Sequence, residues 1–493
     1  DGALTEVINW KTSAVYTGDT SHLKVVLFNA GATTITAANI RWKFNNVAQP
    51  VIHWTGNLPT GTMDTIDLDT VTYISRDNDV MVWIGSLGAL NDTTQINDTV
   101  RAYNYACDSM LNGYYTIGAT GDYADMDEAV AILNLCGING PVTFAIQPGT
   151  YLQNTTIGYI NGTSPTNTIT FTSTTGDSTD VVLQRADNAT TSIAPIMITN
   201  GENIIIEKVT LSGQSPITST YTYSHGIIIT GTSRNIEVRN CHIYGPKNFG
   251  TAVTGTNQNP VRLKDATVSD VRILNNLIEG GSCGVYVYGT NSTSRISNVV
   301  VKGNTIGYVD TYGFYVYYAD SVLIEGNTLV QRTGNFTPGI MYGVYNYYAN
   351  SDIISNKLKM ASTYYGIYTY YMNNDTSIRH GLIVNNEIIG NATTTTHRGI
   401  YMNSYTRAKV YHNSIYMGGS AAGSGIYVTS SAYTYVDIKN NNIVMNVDEG
   451  SDPYPIYLGS ITYLGTQWTL NYNNYYNENG TNIGYAGGAK TSL

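Results

Sequence analysis

A chain of 493 residues is longer than one globular core organises, so a small domain joined to a longer array is the expected plan. Only 12% of residues are charged and the net charge is −10, which excludes nucleic acid as a partner, because nothing here neutralises a row of phosphates. With 42% hydrophobic residues the chain is not a disordered tail, and no run reaches the ~18 apolar residues of a membrane span.

The chain begins at Asp1 and reads as an exported protein without its signal peptide, or equally as a trimmed piece of a longer one. Its expected location is extracellular or at the cell surface. Four of the five Trp (Trp10, Trp42, Trp54, Trp83) precede residue 100, but only two of the 42 Tyr do (Tyr16, Tyr73), and this shift marks a domain boundary. Residues 1–105 alternate as short strands, Leu23–Phe28, Ile35–Phe44, Val51–Trp54, Thr70–Ile74, Val80–Ile84 and Thr99–Tyr105, which predicts a β-sandwich. The stretch LKVVLFNAGATTITAANIRWKFNN, followed by NLPTGTMDTI and NDTTQINDTV, resembles immunoglobulin- or fibronectin-like adhesion modules of bacterial surface proteins.

Residues 106–122 read as a linker. One helix is predicted over 123–135, with Asp122 as its cap, acids in its first turns and an apolar stripe at Ala129, Ile132, Leu133 and Cys136. Placed before a β-array, such a helix serves to cover the first turn. Cys107 and Cys136 stand where they could form a disulfide, or remain two buried thiols, whereas Cys241 and Cys283 fall in different columns of the repeat described next.

The array spans 123–493. Its early strands are Val142–Ile146, Thr168–Phe171, Val181–Gln184, Ile193–Ile198, Ile204–Leu211, Gly226–Thr230 and Ile236–Ile243. A Gly-apolar-Tyr triplet then recurs at Gly284, Gly313, Gly343, Gly366, Gly399 and Gly425, and an Asn column at Asn276, Asn304, Asn327, Asn356, Asn386, Asn413, Asn441 and Asn473 keeps the same irregular rhythm. Such a period signals a solenoid, here of roughly 13 turns and ~60 Å at the ordinary inter-strand spacing. The repeats YGFYVYYADSVLIEGNTL, YGVYNYYANSDIISNKL and RGIYMNSYTRAKVYHNSI resemble those of right-handed parallel β-helix proteins of the pectin lyase-like superfamily. The expected fold is therefore all-β, a sandwich followed by a right-handed parallel β-helix.

Strand alternation turns the residue after each Gly inward and the Tyr beyond it outward. One ladder is expected at Tyr286, Tyr315, Tyr345, Tyr368, Tyr401 and Tyr427, a second at Tyr288, Tyr317, Tyr347 and Tyr370, and a partial third at Tyr318, Tyr348 and Tyr371. They either stiffen the solenoid or form a flat phenolic surface for a protein or a glycan. The Asn column predicts an amide ladder bonding turn to turn.

The resemblance raises polysaccharide cleavage, and the sequence shows no constellation for it. Ser224-His225-Gly226 echoes a polygalacturonase-like His motif without its Asp-Asp or Arg-x-Lys companions. Lys264, Arg272, Lys302, Arg379 and Arg407 scatter over different columns, as do His225, His242, His380, His397 and His412. Two carboxylates on neighbouring coils would suit hydrolysis, yet Asp320 aligns with Asn350 rather than Asp352, and Glu325 and Glu387 are also in different columns. No cofactor motif or zinc spacing is present. Ten sequons (Asn91, Asn97, Asn154, Asn161, Asn188, Asn291, Asn335, Asn374, Asn391, Asn479) permit surface glycans, in the number this composition yields by chance.

The last residues, NIGYAGGAKTSL, offer no closing helix or charged strand, so further chain or a second copy is expected to cover that end. A head-to-tail copy would build a filament. The sequence thus predicts a secreted structural or adhesive protein, a fibre subunit that partners copies of itself. The alternatives are a polysaccharide lyase or hydrolase and a non-catalytic glycan binder.

Overall fold

The computed structural model describes residues 1–493 except 14, 91, 93, 187–192, 215–223, 247–256, 266, 332–340, 374–378, 394–395, 430, 432, 449–452 and 493. Two compact units emerge: Asp1–Asn112 with Ala131–Asn139, and Gly113–Val130 with Gly140–Leu493.

The first unit holds a three-stranded antiparallel sheet (Gly2–Ile8, Thr20–Asn29, Met63–Thr72) and a five-stranded sheet centred on Ile35–Phe44 and Arg76–Ser86. Leu23, Val25, Leu27 and Ile66 from one sheet, and Ile40, Trp42, Val80 and Val82 from the other, share a single buried core. Period-two burial along Thr20–Asn29 and Arg76–Ser86 follows their apolar alternation. The strand read at Thr70–Ile74 instead runs over Met63–Thr72, and Gly2–Ile8 joins the smaller sheet.

The stretch read as linker contains a strand, Leu111–Ile117, and the helix is Met126–Cys136. Asp125, not Asp122, caps it: the Asp125 carboxylate accepts the Glu128 N–H at 2.9 Å, and Glu128 reaches back to the Ala124 N–H at 2.7 Å. Asp122 accepts from the Thr116 N–H and hydroxyl, both at 2.8 Å. Cys107 and Cys136 are joined in a disulfide with Cα atoms 5.8 Å apart, while Cys241 and Cys283 are free and buried.

The second unit is a parallel β-helix of three sheets. Sheet I carries the Gly-apolar-Tyr strands, such as Cys283–Tyr288 and Thr363–Tyr370; sheet II follows it in each turn, as in Ile296–Lys302; sheet III closes the turn, as in Leu277–Glu279. Sheet III has 12 strands, so the solenoid makes about eleven turns rather than 13 and is about 50 Å deep at ~4.8 Å per step. The difference lies in the early turns. Successive register partners Val142, Ile169, Ile204, Ile236 and Val271 are 27, 35, 32 and 35 residues apart, and the last three of these steps exceed the 23–30 residues per step from Ile273 to Ile438.

The corner between sheets II and III explains the Asn rhythm. The residue before each ladder Asn is left-handed: Asn275, Ser355, Asn385, His412, Asn440 and Tyr472, with glycine at Gly303 and Gly326. The stretches read as single strands at Ile204–Leu211 and Ile236–Ile243 break at this corner, at Lys208 and Asn240. Each ladder Asn donates its side-chain N–H to the Oδ1 of the next, at 2.9–3.0 Å from Asn276 to Asn473. The same Nδ2 also donates to a carbonyl of the preceding turn, as Asn356 does to Ile324 at 2.9 Å. Cys241 occupies the position before Asn276, and its backbone N–H donates to Asn276 Oδ1 at 2.9 Å.

Inside, Val285, Phe314, Val344, Ile367, Ile400 and Ile426 are at most 1% exposed, as are Leu329, Leu358, Ile388 and Ile443 from sheet III. At the last turn, Ala489–Lys490 pairs antiparallel with Gly484–Ala486. A closing strand, absent from the sequence expectation, therefore covers that edge of sheet I. Trp468 plugs the core beside it, fully buried, its indole N–H donating to the Thr434 carbonyl at 2.8 Å.

Candidate functional site: a tyrosine corner and the cleft beside it

Sheet I places its tyrosines on the side away from the core, in register from turn to turn. Tyr286, Tyr315, Tyr345 and Tyr368 are mutual strand partners. The inter-strand spacing leaves room for little more than one tilted ring per turn, so the rings stack on one another, with centroids 5.0–5.1 Å apart at 13–18°. Of the two expected arrangements, a stacked ladder and a flat phenolic surface, the rings adopt the stacked one. Ring faces are hidden in the stack, and Tyr286 and Tyr368 are only 5% and 9% exposed. Tyr312 and Tyr342 pack edge-on against Tyr315 and Tyr345 and enclose the column further.

The second column stacks likewise, Tyr288, Tyr317, Tyr347 and Tyr370 at 4.6–5.1 Å. Two arginines punctuate the first. The Arg262 guanidinium lies 4.8 Å above Tyr286. Arg398 lies 4.5 Å from Tyr401 and 4.2 Å from Tyr427, turning these two rings to 83°, and donates to the Tyr365 hydroxyl at 3.0 Å. Beyond it the stack resumes through Tyr427, Tyr457 and Tyr485 at 4.4 Å.

The third column is longer than the sequence reading. It runs Tyr318, Tyr348, Tyr371, Tyr405, Tyr433 along the corner between sheets I and II, with steps of 5.2, 4.4, 4.2 and 4.7 Å. Tyr318, Tyr348, Tyr371 and Tyr405 are left-handed, φ 47–61°. For a bulky residue this costs on the order of 1 kcal/mol each, and stacking holds it. Tyr405 and Tyr433 escaped the sequence reading because they follow Asn-Ser and Ser-Ala rather than the Tyr-x-Tyr-Tyr run.

Burial raises the phenol pKa of the stacked tyrosines that are most enclosed. It is pushed up to about 12 in Tyr368 and Tyr457, and upward too in Tyr315, Tyr345 and Tyr342, where neighbouring phenols add to the desolvation. The sign for stability follows. Between the unfolded value of about 10 and the folded one, the folded chain holds more protons, so stability is complete below about pH 10 and is lost as pH rises through the folded values. Thermal midpoints should be level up to about pH 9 and fall steeply above 10, with tyrosinate absorbance rising alongside. A midpoint unchanged to pH 12 would contradict this.

Directly beyond the corner lies a cleft of about 410 Å³ lined by Asp320, Asn350, Ser351, Asp352, Asn373 and Arg379. The two aspartates that column reading separated share it. The register slips between Ala319 and Val322 against Ala349 and Ser351, which brings Asp352 opposite Leu323. Arg295 pairs with Asp320 at 2.8 Å and Asn350 donates to the same carboxylate. Arg379 grips Asp352 through both guanidinium nitrogens, and the Leu382 N–H donates to it at 3.0 Å. Both carboxylates are thus engaged by arginine rather than disposed as a free acid and base.

The other candidates disperse. His225 is fully buried, and desolvation, reinforced by Arg262, pushes it down to about 3. His242 pairs with Glu279 at 2.8 Å on sheet III, and His412 is a corner residue. Arg272 and Lys302 form cross-turn ion pairs with Glu237 and Glu325. Arg407 sits over Tyr435 beside His380, and Lys264 is exposed. Among the described residues no three His, Cys, Asp or Glu gather as metal ligands. Of the sequons, Asn161, Asn291 and Asn391 are exposed, Asn97 is half-buried, and Asn154 and Asn479 are engaged in hydrogen bonds. Asn91, Asn188, Asn335 and Asn374 lie outside the described residues.

The family model for the right handed beta helix region matches residues 149–329 and 264–492, and the chain belongs to this family. Among solved structures it is similar to the GH136 lacto-N-biosidase of Eubacterium ramulus (11% identity, 76% of this chain, 68% of that one, TM-score 0.37). It is also similar to the catalytic domain of a GH87 alpha-1,3-glucanase (10%, 96% and 97%, TM-score 0.35) and to the Streptococcus pneumoniae surface protein and adhesin PfbA (15%, 71% and 93%, TM-score 0.36). No curated protein matches the chain. Among the described residues no helix is long and apolar enough to cross a membrane.

Proposed function

We propose that this β-helix holds an extended polysaccharide along its tyrosine corner without cutting it, on the outside of a cell. The observation that carries this reading is the junction of the corner stack with the Asp320–Asp352 cleft. Phenol hydroxyls repeat once per turn along the axis, and carboxylate, amide and guanidinium groups stand beside them. A polymer rich in hydroxyls can exchange hydrogen bonds with both sets over several turns, each contact modest and the sum large. Arginine engagement of both carboxylates argues for recognition over hydrolysis. The Cys107–Cys136 disulfide supports an oxidising compartment.

The test is affinity electrophoresis against a panel of neutral and acidic polysaccharides. Replacing Tyr348, Tyr371 and Tyr405 together by Phe keeps the stack and removes three hydroxyls. We expect retardation by at least one polymer and a roughly tenfold weakening in the variant, about 1.4 kcal/mol. No retardation by any polymer defeats the reading, and new reducing ends or unsaturated products would turn it into cleavage.

A second reading, head-to-tail assembly with copies of this chain, has one observation in its favour. Asn474–Asn477, the last strand of sheet III, pairs on one side only among the described residues. Electron microscopy at rising concentration should then show fibres, and isolated particles at every concentration would end that reading.

A further inference from the structure

We infer that the corner column is a site of oxidative tyrosine cross-linking, in which Tyr433 couples to Tyr405 or Tyr405 to Tyr371 to join successive turns covalently. The inference goes beyond polysaccharide binding and does not depend on it. Coupling two phenols needs the rings held close against one another, and access for the oxidant to at least one of them. The corner supplies both. Tyr405 and Tyr433 lie 4.7 Å apart at 4°, and Tyr371 and Tyr405 lie 4.2 Å apart at 10°. Tyr433 is 59% exposed, so the column opens to solvent at this end. Along sheet I, Tyr457 and Tyr485 stack as closely, 4.4 Å apart at 2°, but both are half-buried and neither is as open to solvent as Tyr433.

The chemistry requires a one-electron oxidant, for which hydrogen peroxide acting through a peroxidase suffices. Each of two phenols gives up one hydrogen atom, and the two atoms reduce one peroxide to two waters. The resulting phenoxyl radicals carry spin on their ortho carbons. Those carbons join in a C–C bond, and each ring regains its phenol when its ortho hydrogen moves to the oxygen. A radical formed on exposed Tyr433 passes to its stacked neighbour by hydrogen-atom exchange, and when the oxidant takes a second hydrogen atom from Tyr433 the two adjacent radicals couple within one molecule before they meet another.

The experiment treats the whole chain with peroxidase and limiting peroxide at low protein concentration. Dityrosine fluorescence and mass spectrometry of the digest are the readouts. We expect monomeric product, a linked pair of peptides containing Tyr405 with Tyr433 or Tyr371, and a higher thermal midpoint than the untreated chain. Tyr433→Phe should remove most of the fluorescence. Tyr472→Phe, at a residue 76% exposed, should leave it unchanged. Dityrosine found only in dimers, only at other tyrosines, or at an undiminished level in Tyr433→Phe would overturn the assignment.

Discussion

Replacing Asn356 by Ala is expected to destabilise the solenoid by about 4 kcal/mol, because the side chain is fully buried and every bond it makes is with another buried group. Its Oδ1 accepts from the Asn327 N–H and from Asn327 Nδ2, each at 3.0 Å. Its Nδ2 donates to the Ile324 carbonyl at 2.9 Å and to Asn386 Oδ1 at 3.0 Å. Truncation strands two donors of Asn327 and one lone pair each on the Ile324 carbonyl and Asn386 Oδ1, the latter keeping its bond from the Asn356 N–H. Each stranded buried group costs about 1–3 kcal/mol, and relaxation around the small cavity recovers part of the sum. The same change at Asn473, where the ladder ends in partly exposed surroundings, should cost about 1 kcal/mol. Urea unfolding and amide exchange around turns 327–386 measure the contrast. Equal losses at the two positions would mean that the ladder's burial does not set its strength.

The second large effect is expected at the glycine column. A Cβ on Gly366 would lie 2.5 Å from the Gly399 carbonyl oxygen and 2.6 Å from Ile388 Cγ2. The first of these is backbone of the next turn and is fixed by the sheet. The column repeats this: Gly343 meets the Gly366 oxygen at 2.4 Å, and Gly399 meets the Gly425 oxygen at 2.6 Å. Gly366→Ala should therefore cost about 3 kcal/mol through forced separation of two turns. Gly307→Ala, with nothing within 4 Å of the added atom, should be neutral or stabilising by about 0.5 kcal/mol. A Gly366→Ala chain as stable as the parent would show that sheet I tolerates a wider spacing than its stacked rings indicate.

These two columns were also the clearest signals in the sequence. Asn276 to Asn473 and Gly284 to Gly425 could be aligned without coordinates because one period governs both, and that period specifies a solenoid. The turn count was overestimated because the early turns carry extra residues between sheets III and I, which a mean repeat length conceals. Outward-facing tyrosines followed from strand alternation. Their mutual burial did not, since alternation gives the side of a sheet and says nothing about ring tilt. The cleft was missed for a different reason. Asp320 and Asp352 line it from different register positions, Asp352 lying opposite Leu323, and a column-by-column alignment compares only residues that stand opposite one another. The closing strand Ala489–Lys490 is two residues long, below the reach of any periodicity.

The amide ladder has one further property. From Asn276 to Asn473 every side chain gives its hydrogen to the next and none gives it back, so eight carboxamide dipoles lie head to tail in one direction. Each bond polarises the one after it, and the bonds in the middle of the row gain more from their neighbours than those at its ends. The row is thus a vector. An identical substitution has a different consequence according to how many amides remain on either side of it, and the place where the solenoid first yields is set by distance along that vector as well as by local packing.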